Sequence, residues 1–264
     1  MRTRLLQMAS QAFPIGGYSH SQGLEAAVEC GLVRDEASVL QWIKDVLVFS
    51  LGSYEVPCLM EMSAAWGEMS AARWEPSETG RQQSGAWREP SETGRETSDA
   101  RQEAGEAGRL PGCETLVRLN QEFLATRESA ELRSATVQMG FSLRALVAVL
   151  PELPDGLIET LKAIPEPSLP YVWSGLAAAW SIAPADSVTA YLWSWAENQV
   201  LVAMKSVPVG QSSGQRILLK VGLLIEELAR RPGAGADTPR SNFAPGLAIL
   251  SSQHETQYSR LFRS

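Results

Sequence analysis

The chain has 264 residues, 44% of them hydrophobic, and a formal net charge of -7. That size supports one globular domain, and the acidic balance argues against a nucleic-acid surface, which needs clustered Lys and Arg. No apolar run approaches the roughly 20 residues that span a bilayer, no basic amphipathic helix suggests a membrane face, and Met1 to Gln7 lack the apolar core of a signal peptide. Cys30, Cys58 and Cys113 are odd in number and form no C-x-x-C pair, which points away from a disulfide framework and towards a reducing cytoplasm.

The densest cluster comes first. Phe13-Pro14-Ile15-Gly16-Gly17-Tyr18-Ser19-His20-Ser21-Gln22-Gly23-Leu24-Glu25 reads as a shaped turn entering a helix, because a glycine pair opens backbone angles closed to other residues. Ser19 or Ser21 would cap that helix. A nucleophilic Ser19 acting with His20 or His254 is the competing hydrolase reading, but the second glycine of a G-x-S-x-G elbow is missing.

Helical periodicity follows almost everywhere. Asp35 is placed to cap a helix in which Val39, Leu40, Ile43, Val46, Leu47 and Leu51 share a face. From about 67 to 111 aliphatic residues nearly vanish, and Glu75-Pro76-Ser77-Glu78-Thr79-Gly80-Arg81 returns as Glu89-Pro90-Ser91-Glu92-Thr93-Gly94-Arg95. Such a segment buries too little apolar area to offset its ordering entropy, so it is expected to be a disordered insertion without a role of its own. From Thr115 one long pattern runs through Leu116, Leu119, Phe123, Leu132, Met139, Leu143 and Leu146, with Arg127 and Glu131 four apart and able to pair. Further helices carry Leu169 to Trp180, Ser187 to Met204 and Ile217 to Leu228. Trp173, Trp180, Trp193 and Trp195 are expected in the core, with a subunit interface as the alternative.

No sheet is expected, so the fold class is all-α: a single helical-bundle domain over residues 1–264, interrupted by the insertion. Gly210-Gln211-Ser212-Ser213-Gly214-Gln215-Arg216 resembles a phosphate loop only superficially, since Gln215 and Arg216 stand where Lys and Ser/Thr are needed. His20 and His254 lack companions at ligand spacing, so no metal site is assigned. The tail ends in Tyr258, Arg260, Leu261, Phe262 and Arg263, residue types that anchor interfaces, so it is expected to be loose until it meets a partner.

Three segments resemble the UreF family of urease accessory proteins. They are Phe13 to Glu25 (F-P-x-G-G-F/Y-S-H-S-x-G-L-E), Lys205-Ser206-Val207-Pro208-Val209-Gly210-Gln211 (K-x-V-P-x-G-Q), and His254-Glu255-Thr256-Gln257-Tyr258-Ser259-Arg260-Leu261-Phe262-Arg263-Ser264. Arg127 to Arg133 is a weaker fourth match. The resemblance implies an all-α homodimer with no catalytic residue, acting with UreD (UreH in some organisms) and the GTPase UreG to deliver nickel to apo-urease. Nickel would be handled transiently with those partners, not bound as a stable cofactor. The resemblance also implies that Lys205, with Pro208, Gly210 and Gln211, contacts and controls the GTPase. By the same implication His254, Glu255, Tyr258, Arg260, Leu261, Phe262 and Arg263 dock UreD, while Pro14, Gly16, Gly17, Tyr18, Ser19 and His20 form a shaped turn or interface. A nickel-storing metallochaperone is the remaining alternative, disfavoured by the lack of a His-rich tract.

Overall fold

The structure, a computed structural model, describes residues 2–73, 113–231 and 240–263. In chain order the helices are α1 (Arg2–Ala9), α2 (Leu24–Glu29), α3 (Glu36–Val46), α4 (Val56–Arg73), α5 (Cys113–Ala125), α6 (Ala130–Val147), α7 (Asp155–Ala163), α8 (Leu169–Ala179), α9 (Pro184–Ser206), α10 (Gln211–Arg230) and α11 (Pro245–His254). A short 3₁₀ turn covers Gly17–Ser19, and a π-helical stretch, Leu47–Glu55, joins α3 to α4 without a break. Among the described residues there is no strand, as the periodicity requires.

The centre of the bundle is α8. Every residue from Leu169 to Ala177 is buried, and a helix that is apolar all round has to be enclosed. It is covered by α4 and α6, while α9 carries α10 and α1 on its flanks. Most of the aromatic polar atoms inside are satisfied: Trp173 Nε1 donates to Ser187 Oγ at 3.2 Å, Trp66 Nε1 to Tyr171 O at 3.2 Å, and Tyr171 OH to Thr160 O at 3.0 Å, whereas the buried Trp180 Nε1 has no hydrogen-bond partner. Trp173 and Trp180 are core residues, and Trp193 and Trp195 are half-buried. Asn120 fixes the entry to α8 from the side, donating to Glu166 O and accepting from Ser168 N.

Asp35 caps α3 as the sequence predicts: its carboxylate accepts from Ser38 N at 2.9 Å, and the Ser38 hydroxyl reciprocates at Asp35 N. What periodicity does not show is the extra residue per turn that follows. The π stretch turns Ser50, Leu51 and Glu55 inward, and its Gly52 lets α10 approach, since a Cβ there would lie 2.8 Å from Leu228.

Three expectations need correction. The pattern beginning at Thr115 is two helices: Ser129 accepts from Leu132 N and starts α6 afresh, because a side-chain acceptor at that point outcompetes continuation. Arg127 therefore sits in the break and pairs with Glu55 instead of Glu131. The insertion expected from about 67 begins later, since 67–73 prolong α4; the rest of it lies outside the described residues.

Candidate functional site

Segments far apart in sequence meet at one end of the bundle. Glu25, buried on α2, is the hub: its carboxylate accepts from Leu261 N at 2.6 Å, from Phe262 N at 3.0 Å, and faces His254 Nε2 at 3.0 Å. The other ring nitrogen of His254 lies 2.6 Å from Glu131, which also holds Arg260 at 2.7 Å. His254 is fully buried. Arg263 N donates to Ser19 O at 2.8 Å, and Phe262 is 7% exposed, with the Lys205 ammonium 5.4 Å above its ring. Glu255 accepts from Ala130 N and Glu131 N, placing its negative charge at the start of α6. The turn, the end of α9, the α6 start and the tail thus form one composite surface.

The tail is consequently folded onto its own domain, contrary to the expectation that it hangs loose. Backbone N–H groups on Leu261 and Phe262 find a buried carboxylate, and Phe262 finds apolar cover, so ordering is compensated internally. What remains exposed is a set of anchors: Tyr258 is 105% exposed and Leu261 71%, with Arg263 beside them and Arg260 exposed but paired with Glu131. Lys205, Pro208, Gly210 and Gln211 are also exposed, while Val207 and Val209 between them are buried and hold the segment down. Gly210 is the residue before α10 and no strand precedes it, so this turn is a helix start.

In the Phe13–Glu25 segment only part of the glycine argument holds. Gly16 (φ 76) and Gly23 (φ 88) use left-handed angles, whereas Gly17 does not. Neither serine caps α2: Ser19 Oγ donates back to Gly16 O at 2.8 Å, and Gly23, at the N-cap, offers no side chain. Ser19 is thereby spent on the turn and His254 on two glutamates, which removes the Ser19–His254 pair of the hydrolase reading. Pro14 and Tyr18 point outward and Phe13 inward, where it meets Trp173 edge-on at 6.2 Å. From α9, Asn198 Nδ2 donates to His20 O at 3.0 Å and Gln199 Nε2 to Ser21 O at 3.1 Å. Trp195 Nε1 donates to Gln22, a non-glycine residue held at φ 51.

His20 is buried, and its pKa is pushed down to about 4, first by burial and then by the nearby Arg263 charge. The unfolded chain therefore takes up a proton near pH 6.5 that the folded chain refuses until about pH 4. Stability conferred above pH 6.5 is lost as the pH falls through that window. Between pH 7.5 and pH 5 this residue alone should cost about 1–2 kcal/mol of folding stability. Denaturant midpoints at both pH values should show His20→Gln losing less stability on acidification than the parent; equal losses would contradict the assignment.

Glu55, missed by sequence reading, and Arg127, read there as a partner of Glu131, complete the interior. Glu55 and Arg127 meet at 2.6 Å with both side chains mostly buried, Tyr191 OH donates to Glu55 at 2.8 Å, and Arg127 lies 4.3 Å over the Phe123 ring. Burial, followed by the adjacent Glu55 charge, raises the Tyr191 phenol well above its ordinary pKa. The available signal was a lone carboxylate inside an apolar run, at Glu55 and again at Glu25. Among the described residues no group of three metal-ligating side chains converges. The two glutamates on His254 occupy opposite sides of its ring and cannot share one ion with it.

The described residues thus form a helical bundle whose charged residues latch its own tail and whose exposed residues include Tyr258 and Leu261. The UreF family model matches residues 33–222. The chain is 45% identical over 262 residues to the urease accessory protein UreF of Dechloromonas aromatica (strain RCB), covering 99% of this chain and 96% of that one. It is 43% identical over 263 residues to the UreF of Azoarcus sp. (strain BH72), covering 99% and 94%. The chain belongs to the UreF family of non-catalytic urease accessory proteins, which take part in the maturation of the nickel enzyme urease.

Proposed function

We propose that this chain acts in the cytoplasm as a homodimeric adaptor in the nickel-loading step, joining UreD (UreH) to the GTPase UreG on apo-urease and biasing the GTPase. Nickel passes with the partners and is not retained as a cofactor. The observation that supports this reading most is the convergence of the Phe13–Glu25 turn, Lys205 and the tail on one face. An adaptor needs surfaces that favour one state of a partner, and residues on one face can be read together. Tyr258, Leu261 and Arg263 form the UreD side of that face. Lys205, Pro208, Gly210 and Gln211 form the GTPase side.

Lys205→Ala tests the GTPase side. The ammonium is exposed and its only aromatic partner in the described structure is the Phe262 ring, a contact worth about 0.5–1 kcal/mol at such a site. Stability should therefore change by less than about 1 kcal/mol, whereas UreG-dependent urease activation should fall severalfold. A collapse of thermal stability with normal activation per folded molecule would make Lys205 structural and sink the assignment.

A further inference from the structure

The junction that holds the tail makes more contacts than a neutral imidazole can satisfy. The His254 ring is fully buried, at the end of α11, and α2 and α6 pack against that helix. Its Nε2 lies 3.0 Å from Glu25 Oε2 and its Nδ1 2.6 Å from Glu131 Oε2, distances that leave no room for an intervening water. The two glutamate side chains are themselves only 8% and 12% exposed. Each contact therefore needs its own proton. A neutral ring carries one N–H and one lone pair. In that state one carboxylate would face a lone pair at hydrogen-bond distance, in a site shielded from water.

The second proton has two places to sit, on the ring or on a glutamate. Both oxygens of Glu25 already accept backbone N–H groups, from Leu261 and Phe262, and Glu131 Oε1 accepts from Arg260. Donors of that kind favour ionised carboxylates, which leaves the proton on the ring. Of the other charged groups nearby, Glu255 is turned to the start of α6, where it accepts from Ala130 N and Glu131 N. Glu29 of α2 is exposed, and Arg263, farther along the tail, acts on His20. We propose that His254 carries both ring protons and that the tail is therefore held by a proton-dependent switch, closed while the imidazolium bridges α2 and α6 and opened when it loses a proton at alkaline pH. With a neutral ring, two buried carboxylates would be left to share Arg260, and a buried charge without a partner is costly. Relief comes from opening the junction to water, and with it goes the hold of Glu25 on Leu261 N and Phe262 N. The sign is opposite to that of His20: this contribution is present at low pH and lost as the pH rises. Tyr258 and Leu261 stand on the held segment, so the surface they form exists in the protonated state. The inference concerns this chain's own fold and holds whichever partner meets that surface.

Nitrogen NMR of the full chain, with the histidine ring signals followed from about pH 6 to about pH 10, reads the charge directly. His254→Gln assigns the signals. Near neutral pH both His254 nitrogens should resonate as N–H, with neither at the position of a lone-pair nitrogen. Where that signature is lost on raising the pH, hydrogen-exchange protection of the Leu261 and Phe262 amides, corrected for intrinsic exchange, should fall at least about tenfold, the value of one charge-assisted hydrogen bond. Amides of α8 should keep their protection over the same range. Glu131→Gln is the control: its amide can donate to Nδ1 of a neutral ring while its oxygen still accepts from Arg260, so the folded variant should hold the tail amides throughout. A lone-pair nitrogen in the parent near neutral pH would overturn the proposal. So would tail protection that ignores the ring charge, or a Glu131→Gln variant that releases the tail at the same pH as the parent.

Discussion

Glu25→Ala should lower folding stability by about 3–5 kcal/mol, the range seen when one partner of a buried charged network is removed. The carboxylate holds Leu261 N, Phe262 N and the buried His254 ring together, and an alanine supplies none of these contacts. Each donor stranded without water costs about 1–3 kcal/mol. The released tail would also expose Phe262 and leave Lys205 without its ring. Chemical denaturation gives the energy, and hydrogen exchange at the Leu261 and Phe262 amides locates it. A loss below about 1 kcal/mol, or protection of those amides in the variant, would show that the tail is held by something else.

Gly140→Ala is the second large effect, and its sign separates two arguments. By helix propensity alone the change should stabilise α6 by about 1 kcal/mol. A Cβ at Gly140, however, would lie 2.1 Å from Pro167 O, a backbone atom that cannot rotate away. The loop before α8 must shift, and with it the Asn120 bonds to Glu166 O and Ser168 N. The expected outcome is a loss of about 3 kcal/mol, at the upper end of overpacking costs. A variant as stable as the parent or more so would mean that α6 and α8 are not in this contact.

The all-α class, the Asp35 cap and the apolar face of α10 from Ile217 to Leu228 were legible because they rest on local rules, period and capping. The break at Ser129 was not, because an apolar period persists across it and only the side-chain bond to Leu132 N interrupts the helix. The short helices α1, α7 and α11 also went unread, and α2 was read only as the helix entered by the turn, with the wrong cap. They carry too few turns for a period to show, and α2 and α11 pack against each other to become stable. For the site, the three motif segments were visible, but their junction was not. Nothing local says that Glu25 receives the amides of residues 261 and 262 across more than 230 positions, so a tail rich in anchors read as free. In physical terms its two ends differ: Phe262 and His254 belong to the fold, and Tyr258 and Leu261 to the surface. Deleting residues 254–264 would therefore disturb folding and docking together.

The proposed docking of UreD rests on the exposed part of this latched tail. Changing Tyr258 and Leu261 together to Ala isolates that part, because neither side chain supports the fold. The double variant should keep its melting temperature and circular dichroism while its affinity for UreD falls at least about tenfold, as loss of two interface anchors entails. Co-purification with UreD at full affinity by the stably folded double variant would contradict it.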